Sequence, residues 1–426
     1  MVDWKKYILN NGLTVLTHEA WDTPLATVNV LYNVGARDEA PERTGFAHLF
    51  EHLMFGGTEK VPDFDAVVSS LGGENNAFTN NDITNYYITL PVGALQTALD
   101  LEADRMQGLR LTEKALEVQQ RVVKEEYHQR YMNRPYGDMW LLLRPLCYKV
   151  NPYRWATIGA DIRHVAEATL EDVKQFHEQF YRPDNAILTI AASLTHEEMV
   201  GMAERAFGTL LLPRQKPNHD RCFARERTYP LEPPQTAARR LEVEREVPTD
   251  AVYLAWPMCD RYNPDFQACD LISDILATGH SSRLYRGILC DSRLVSEADA
   301  SITGDAGQGL LMVSAKVRQG VNPEEVAEAI RKEVRRLTEE PVDTYELEKV
   351  ANRYESNFVF SQYKASDRAM GLCYYTWLGD TGLVNREPEV YRRVTPEELQ
   401  AAAQRLFREE NENLLIIKKK DKKTEM

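Results

Sequence analysis

No stretch of the sequence approaches the roughly 18 consecutive apolar residues needed to cross a bilayer, so a membrane-spanning helix is excluded. Cysteine is scarce: Cys147, Cys222, Cys259, Cys269, Cys290 and Cys373 are widely scattered and form no Cys-x-x-Cys pair. That rules out a disulfide scaffold and thiolate metal fingers, and reduced, mostly buried thiols are expected. A basic surplus is also missing. The 51 lysines and arginines against 65 aspartates and glutamates leave a net charge of −14, the wrong sign for a phosphate backbone. Nucleic acid is therefore excluded as a partner, while basic or neutral peptides stay open as substrates. The opening Met1-Val2-Asp3-Trp4-Lys5-Lys6 lacks a basic segment followed by an apolar core, so no signal peptide is expected and the location is expected to be cytoplasmic.

What is present is a globular balance, 43% apolar and 27% charged over 426 residues. That length exceeds what one hydrophobic core usually supports, so two domains of roughly 200 residues each are expected. In the first half, Tyr7 to Thr17 turns at Asn10-Asn11-Gly12 and Ala26 to Val34 alternates, which reads as strands. Thr44 is placed to cap a helix carrying Phe46, Leu49, Phe50, Leu53 and Met54, ended by Gly56-Gly57. A helix from Asp63 to Leu71, a Gly72-Gly73 turn, strands within Asn76 to Leu90, and helices near 93–107 and 112–131 follow. Helix 169–179, strand Ala186 to Ala192 and helix 195–206 close this half. From Pro213 to Thr249 the sequence turns charged and proline-rich, as a linker does.

The second half runs through strand Ala251 to Trp256, a helix from Pro264 to Ala277 capped by Asn263, strand 309–317, helices 322–338, 343–361 and 395–407, and strand Leu414 to Ile417. A similar order met twice, about 210 residues apart, suggests duplication. The expected boundaries are 1–215 for a metal-bearing N-terminal domain, 216–240 for the linker, 241–417 for a related domain without the metal motif, and 418–426 for a disordered charged tail.

Chemistry concentrates at His48, Glu51 and His52. Histidines four apart on a helix stand one turn apart on one face and can grip one ion. Glu51 projects to the same side, where it can act as a general base toward water. A catalytic zinc also needs a third protein ligand. Glu126 is the preferred candidate because it shares a helix face with Val122 and Val123, with Glu125, on a polar face, as the alternative. The other histidines are read as structural or surface residues.

The order His48-Leu49-Phe50-Glu51-His52, with an acid 74 residues past His52, resembles the pitrilysin, insulysin and mitochondrial processing peptidase family. The resemblance extends over Gly45 to Gly57, Gly72 to Thr79, Thr84 to Tyr87, Asn151-Pro152-Tyr153 with Ile158-Gly159, and Ser281-Ser282-Arg283-Leu284-Tyr285. It implies an α+β fold of two related domains, each a mainly antiparallel sheet with helices packed on it, forming one half of a clam-shell chamber. It further implies one Zn2+ per chain on His48, His52 and Glu126, Glu51 as general base, and peptide hydrolysis. Asn76, Ala77, Phe78 and Thr79 look like the family's edge strand, where an extended substrate pairs through its main chain.

Two departures stand out. Where family members often carry a second glutamate seven residues before the zinc glutamate, this chain has Gln119, an uncharged outer-shell group. Where self-sufficient members place an arginine and, seven residues later, a tyrosine, it has Leu289 and Ser296, which cannot replace those donors. The resemblance therefore implies a beta-type catalytic subunit whose Arg/Tyr pair comes from a related metal-free subunit. A homodimer, or Arg286 or Arg293 from the same loop, is the fallback. The rival reading is a non-catalytic assembly or core subunit of the same fold.

Overall fold

The computed structural model describes residues 1–210, 221–226 and 229–420, and among these no helix is long and apolar enough to cross a membrane. They form two compact units. The first comprises Met1–Tyr127, Trp155–Tyr229 and Phe358–Arg386; the second comprises His128–Arg154, Pro230–Asn357 and the chain from Glu387 on. Neither is a single stretch of sequence. Of the expected linker, residues 216–220, 227 and 228 lie outside the described residues, as do 421–426 of the expected tail.

The first unit holds β1 (Lys5–Ile8), β2 (Thr14–Glu19), β3 (Leu25–Tyr32), β4 (Glu74–Thr79), β5 (Thr84–Pro91) and β6 (Ala186–Ala192), in the order β1-β2-β6-β3-β5-β4. Only β2 and β6 run parallel. β6, Ala-Ile-Leu-Thr-Ile-Ala-Ala, is buried along its whole length, as a strand with paired neighbours and covered faces can be. The helix Ala365–Trp377 packs on β3 and β6. Its Ala365 and Ala369 meet Ala20 and Ala191, small side chains that permit close approach. Trp377, fully buried, donates its indole N–H to Asn33 Oδ1 at 2.7 Å. The sequence reading missed this helix because it is buried on several sides and so lacks a single apolar stripe.

The second unit holds β7 (Arg239–Arg245), β8 (Ala251–Pro257), β9 (Val295–Ile302), β10 (Leu310–Val317) and β11 (Asn413–Lys419), in the order β7-β11-β8-β10-β9. Here only β7 and β11 are parallel. Strand for strand this repeats β2-β6-β3-β5-β4 with the same directions, the topology a duplication leaves. Arg239 and Arg240, placed at the end of the linker by sequence, begin β7. Its charges alternate with Leu241 and Val243, which pack on the second unit's core, and it is an edge strand, where outward charges are tolerated.

One capping expectation gives way and one is shifted. The helix that carries the histidine pair starts after Gly45, not Thr44; the helix Phe266–Ala277 starts after Asp265, whose N–H donates to Asn263 Oδ1 at 2.9 Å in the turn that leads into it. Replacing Trp377 by Ala is expected to cost about 3–5 kcal/mol of stability, read from urea unfolding; a loss below about 1 kcal/mol would contradict its role in this core.

Candidate metal centre

The helix α1 (Phe46–Leu53) follows β3 and spans only eight residues. Gly45 at its start has φ 88°, and a Cβ there would lie 2.7 Å from the Ile158 carbonyl oxygen, so the position needs glycine. Glycine brings no side chain to cap the helix. Thr44 is turned elsewhere: its Oγ1 accepts from the Ala160 N–H at 2.8 Å and pairs with His164 Nδ1 at 2.8 Å. The cap is instead Glu39, a buried residue whose Oε2 accepts from the Gly45 N–H and Oε1 from the Ala47 N–H, both at 2.8 Å. Sequence reasoning missed Glu39 because capping rules look at the residue beside the helix, not six residues upstream.

One face of α1 is buried through Phe46, Ala47, Leu49, Phe50 and Leu53. Phe50 lies against Phe176 and Tyr181, with ring centroids 4.8 and 5.1 Å away. The other side carries His48, Glu51 and His52, all half-buried. The helix Glu113–Tyr127 packs beside α1. It is fixed by buried Leu116 and Val123 and by Gln120 Nε2–H donating to the Val165 and Ala168 carbonyls at 2.9 Å each.

The last turn of that helix brings Glu126 Oε2 to 3.5 Å from His48 Nε2 and 3.3 Å from His52 Nε2. All three donor atoms lie within 4.8 Å of one another. The imidazoles meet edge to face, at 87° and 4.9 Å between centroids, so each Nε2 can aim at a common point. Three ligands on a tetrahedral zinc with bonds of about 2.0–2.2 Å sit roughly 3.3–3.5 Å apart. The donor set of two imidazoles and a carboxylate therefore fits a zinc ion with one position left open. Glu125, the alternative, is exposed to solvent.

The Glu51 charge reaches two buried tyrosines. Tyr86 and Tyr181 are buried with their hydroxyls 3.4 Å apart. Burial holds both phenols above their ordinary pKa, and the Glu51 charge adds to the effect. Arg105 lies over Tyr86 at 4.5 Å and Phe64 at 4.6 Å and pairs with buried Glu102, Nε to Oε2 2.7 Å, which fixes the ring of Tyr86.

β4 is the outer strand of its sheet and packs beside α1. Asn76 and Phe78 are exposed, Ala77 and Thr79 half-buried, and Asn76 Oδ1 accepts from the Ala77 N–H at 2.8 Å. Gln119 is half-buried, two turns ahead of Glu126 on the same helix. Leu289 is half-buried against the second unit's core, while Ser296, Arg286 and Arg293 are exposed in that unit.

His196, read from sequence among the structural or surface histidines, is buried in a polar cluster. Its Nε2 is 3.1 Å from Asp3 Oδ2 and 3.6 Å from Glu19 Oε1, and its Nδ1 is 2.7 Å from Thr17 Oγ1. Hydrogen bonding accounts for this cluster, which clasps the N-terminal segment onto β2. Among the described residues no cysteine joins a group of metal donors.

Comparison with known proteins adds an independent line. The insulinase family (peptidase family M16) matches residues 14–136, and the peptidase M16 inactive domain matches residues 167–354. The zinc protease PqqE of Helicobacter pylori is 31% identical over 85% of this chain and 80% of its own. The mitochondrial-processing peptidase subunit beta of Saccharomyces cerevisiae is 28% identical over 47% of this chain and 43% of its own. A crystal structure of a protease from Helicobacter pylori superposes with a TM-score of 0.89 at 26% identity, covering 98% of this chain and all of that one. His48, Glu51, His52 and Glu126 all fall within the matched segment 14–136.

Burial pushes the Glu39 carboxyl up to about 8, against the opposing pull of the Ala47 and Gly45 N–H groups. A carboxyl raised in this way contributes stability that is complete below its ordinary pKa near 4.5 and is lost as pH rises through about 8. The thermal midpoint should accordingly fall across that window, and Glu39→Gln should remove this component of the slope. An unchanged slope in the variant would show that other groups carry it.

Proposed function

The chain belongs to peptidase family M16, and on that premise we propose that it is a zinc-dependent endopeptidase acting on extended peptides or small unfolded polypeptides. One observation carries the reading: His48, His52 and Glu126 converge on one point while Glu51 projects from the same helix, beside an outer strand open to pairing. One zinc ion per chain would be held by His48 Nε2, His52 Nε2 and Glu126 Oε2. When bound, zinc supplies Lewis-acid polarisation of the scissile carbonyl and lowers the pKa of water.

The chain's own residues do the rest. An extended peptide adds to β4 along Asn76, Ala77, Phe78 and Thr79, taking the Ala77 N–H from Asn76 Oδ1. Such backbone pairing selects shape over sequence. The Glu51 carboxylate takes a proton from the attacking water and returns it to the departing amide nitrogen. Gln119, as an outer-shell amide, steadies the helix that presents Glu126.

Donors to the developing oxyanion are the missing part, since Leu289 has none and Ser296 is short. Loss of such donors typically costs about 10²–10³ in rate. A related metal-free subunit supplying an arginine and a tyrosine is the simplest source, with a second copy of this chain or Arg286 or Arg293 as the alternatives. The reading as a non-catalytic assembly subunit gains nothing from the inactive-domain match, because residues 167–354 exclude all four site residues.

Glu51→Gln should retain metal near one equivalent while peptide cleavage falls by about 10²–10⁴-fold, measured by elemental analysis and a quenched fluorescent peptide library. Survival of cleavage would remove Glu51 from the base role. The purified chain alone should cleave slowly and the complex isolated with its related subunit far faster; full activity as a pure homodimer would contradict the two-subunit assignment.

A further inference from the structure

We propose that Glu39 is a positioning residue for the metal centre, its buried carboxyl group fixing the first turn of α1, on which His48 is carried. The proposal rests on the zinc peptidase reading above and extends it to a residue that touches neither metal nor substrate. A helix of two turns is not stable alone, and the N–H groups of its first turn have no partners within the helix. The second turn is anchored independently by Phe50 against Phe176 and Tyr181. The first turn is anchored through buried Phe46, whose ring centroid lies 6.0 Å from that of Phe176, but Gly45 brings no side chain to its leading N–H groups.

Glu39 fills that gap from a distance. Both of its oxygens accept, one from Gly45 and one from Ala47, and Ala47 is bonded directly to His48. The spacing of His48 relative to His52 and Glu126 therefore depends on the turn that Glu39 holds. A glutamine of the same shape would keep one acceptor and turn an NH2 group onto the other N–H, so the two-pronged grip needs a carboxyl group. His164 Nδ1 instead accepts from the N–H of Thr44, the residue before Gly45, and pairs with its hydroxyl, so it grips the chain ahead of the helix, which makes His164 a control for stability alone.

The test compares wild type, Glu39→Gln and His164→Ala, each loaded with zinc, for thermal midpoint, zinc affinity by chelator competition, kcat and KM. Glu39→Gln should weaken zinc affinity and lower kcat by about 10–100-fold each, with KM within about twofold. His164→Ala should lower the midpoint while affinity and kcat stay within about twofold of wild type. A Glu39→Gln protein that loses only thermal stability, or whose KM rises at unchanged kcat, overturns the proposal and leaves Glu39 a plain cap. Where Glu39→Gln does not fold, Glu39→Asp decides, since it keeps two acceptors on a shorter arm: smaller losses of affinity and kcat support the proposal, and wild-type values overturn it. Should the wild type itself fail to cleave peptides, the peptidase reading falls, while zinc affinity still decides the role of Glu39.

Discussion

A helix of two turns has too few internal hydrogen bonds to persist in water, and the candidate chemistry of this protein hangs on such a helix. α1 exists because its surroundings over-determine it. Phe46, Leu49, Phe50 and Leu53 are buried below it, Gly45 lets the chain turn in at positive φ, and a buried carboxyl satisfies its leading N–H groups. With the backbone held, geometry alone puts His48 and His52 one turn apart and leaves Glu51 beside them. Glu126 then has only to arrive from one neighbouring helix, where buried Val123 and the three-carbonyl grip of Gln120 set its height.

The same logic explains why only one of two similarly built sheets carries the centre. The second sheet repeats five strands of the first in order and direction, and the helix Phe266–Ala277 occupies the position of α1. Its side chains Phe266, Leu271, Ile272, Ile275 and Leu276 are buried and it has no histidine. The repeated scaffold is a solution to packing; the metal donors are a local addition to one copy, consistent with function residing in sites set upon folds.

Much of this was legible from residues. Histidines at helical spacing with an acid between them mark α1 as a place to look for an ion, and the preference for Glu126 over Glu125 rests on a valine face of which Val123 is buried and Val122 exposed. Turn glycines and alternating residues located β2, β3, β5, β6, β8 and β10. The failures have two physical causes: a partner far away in sequence for β7 and Ala365–Trp377, and a pattern that local rules do not read for β9 and Glu39. β7 reads as a charged linker until β11 pairs with it, β9 is too polar to register, and Ala365–Trp377 is a helix without a solvent face because it returns to the first sheet. Glu39 escapes the local rules too, since an acid in the run Arg37-Asp38-Glu39-Ala40-Pro41 looks like a surface residue until its oxygens are seen on Gly45 and Ala47.

We propose that two imidazoles and one carboxylate hold a zinc ion at α1. X-ray absorption at the zinc edge of the loaded chain tests it most directly. Scattering from two imidazole rings and oxygen neighbours at about 2.0–2.2 Å is expected, with no sulfur shell. A sulfur neighbour at about 2.3 Å, or a spectrum without imidazole scattering, would contradict it.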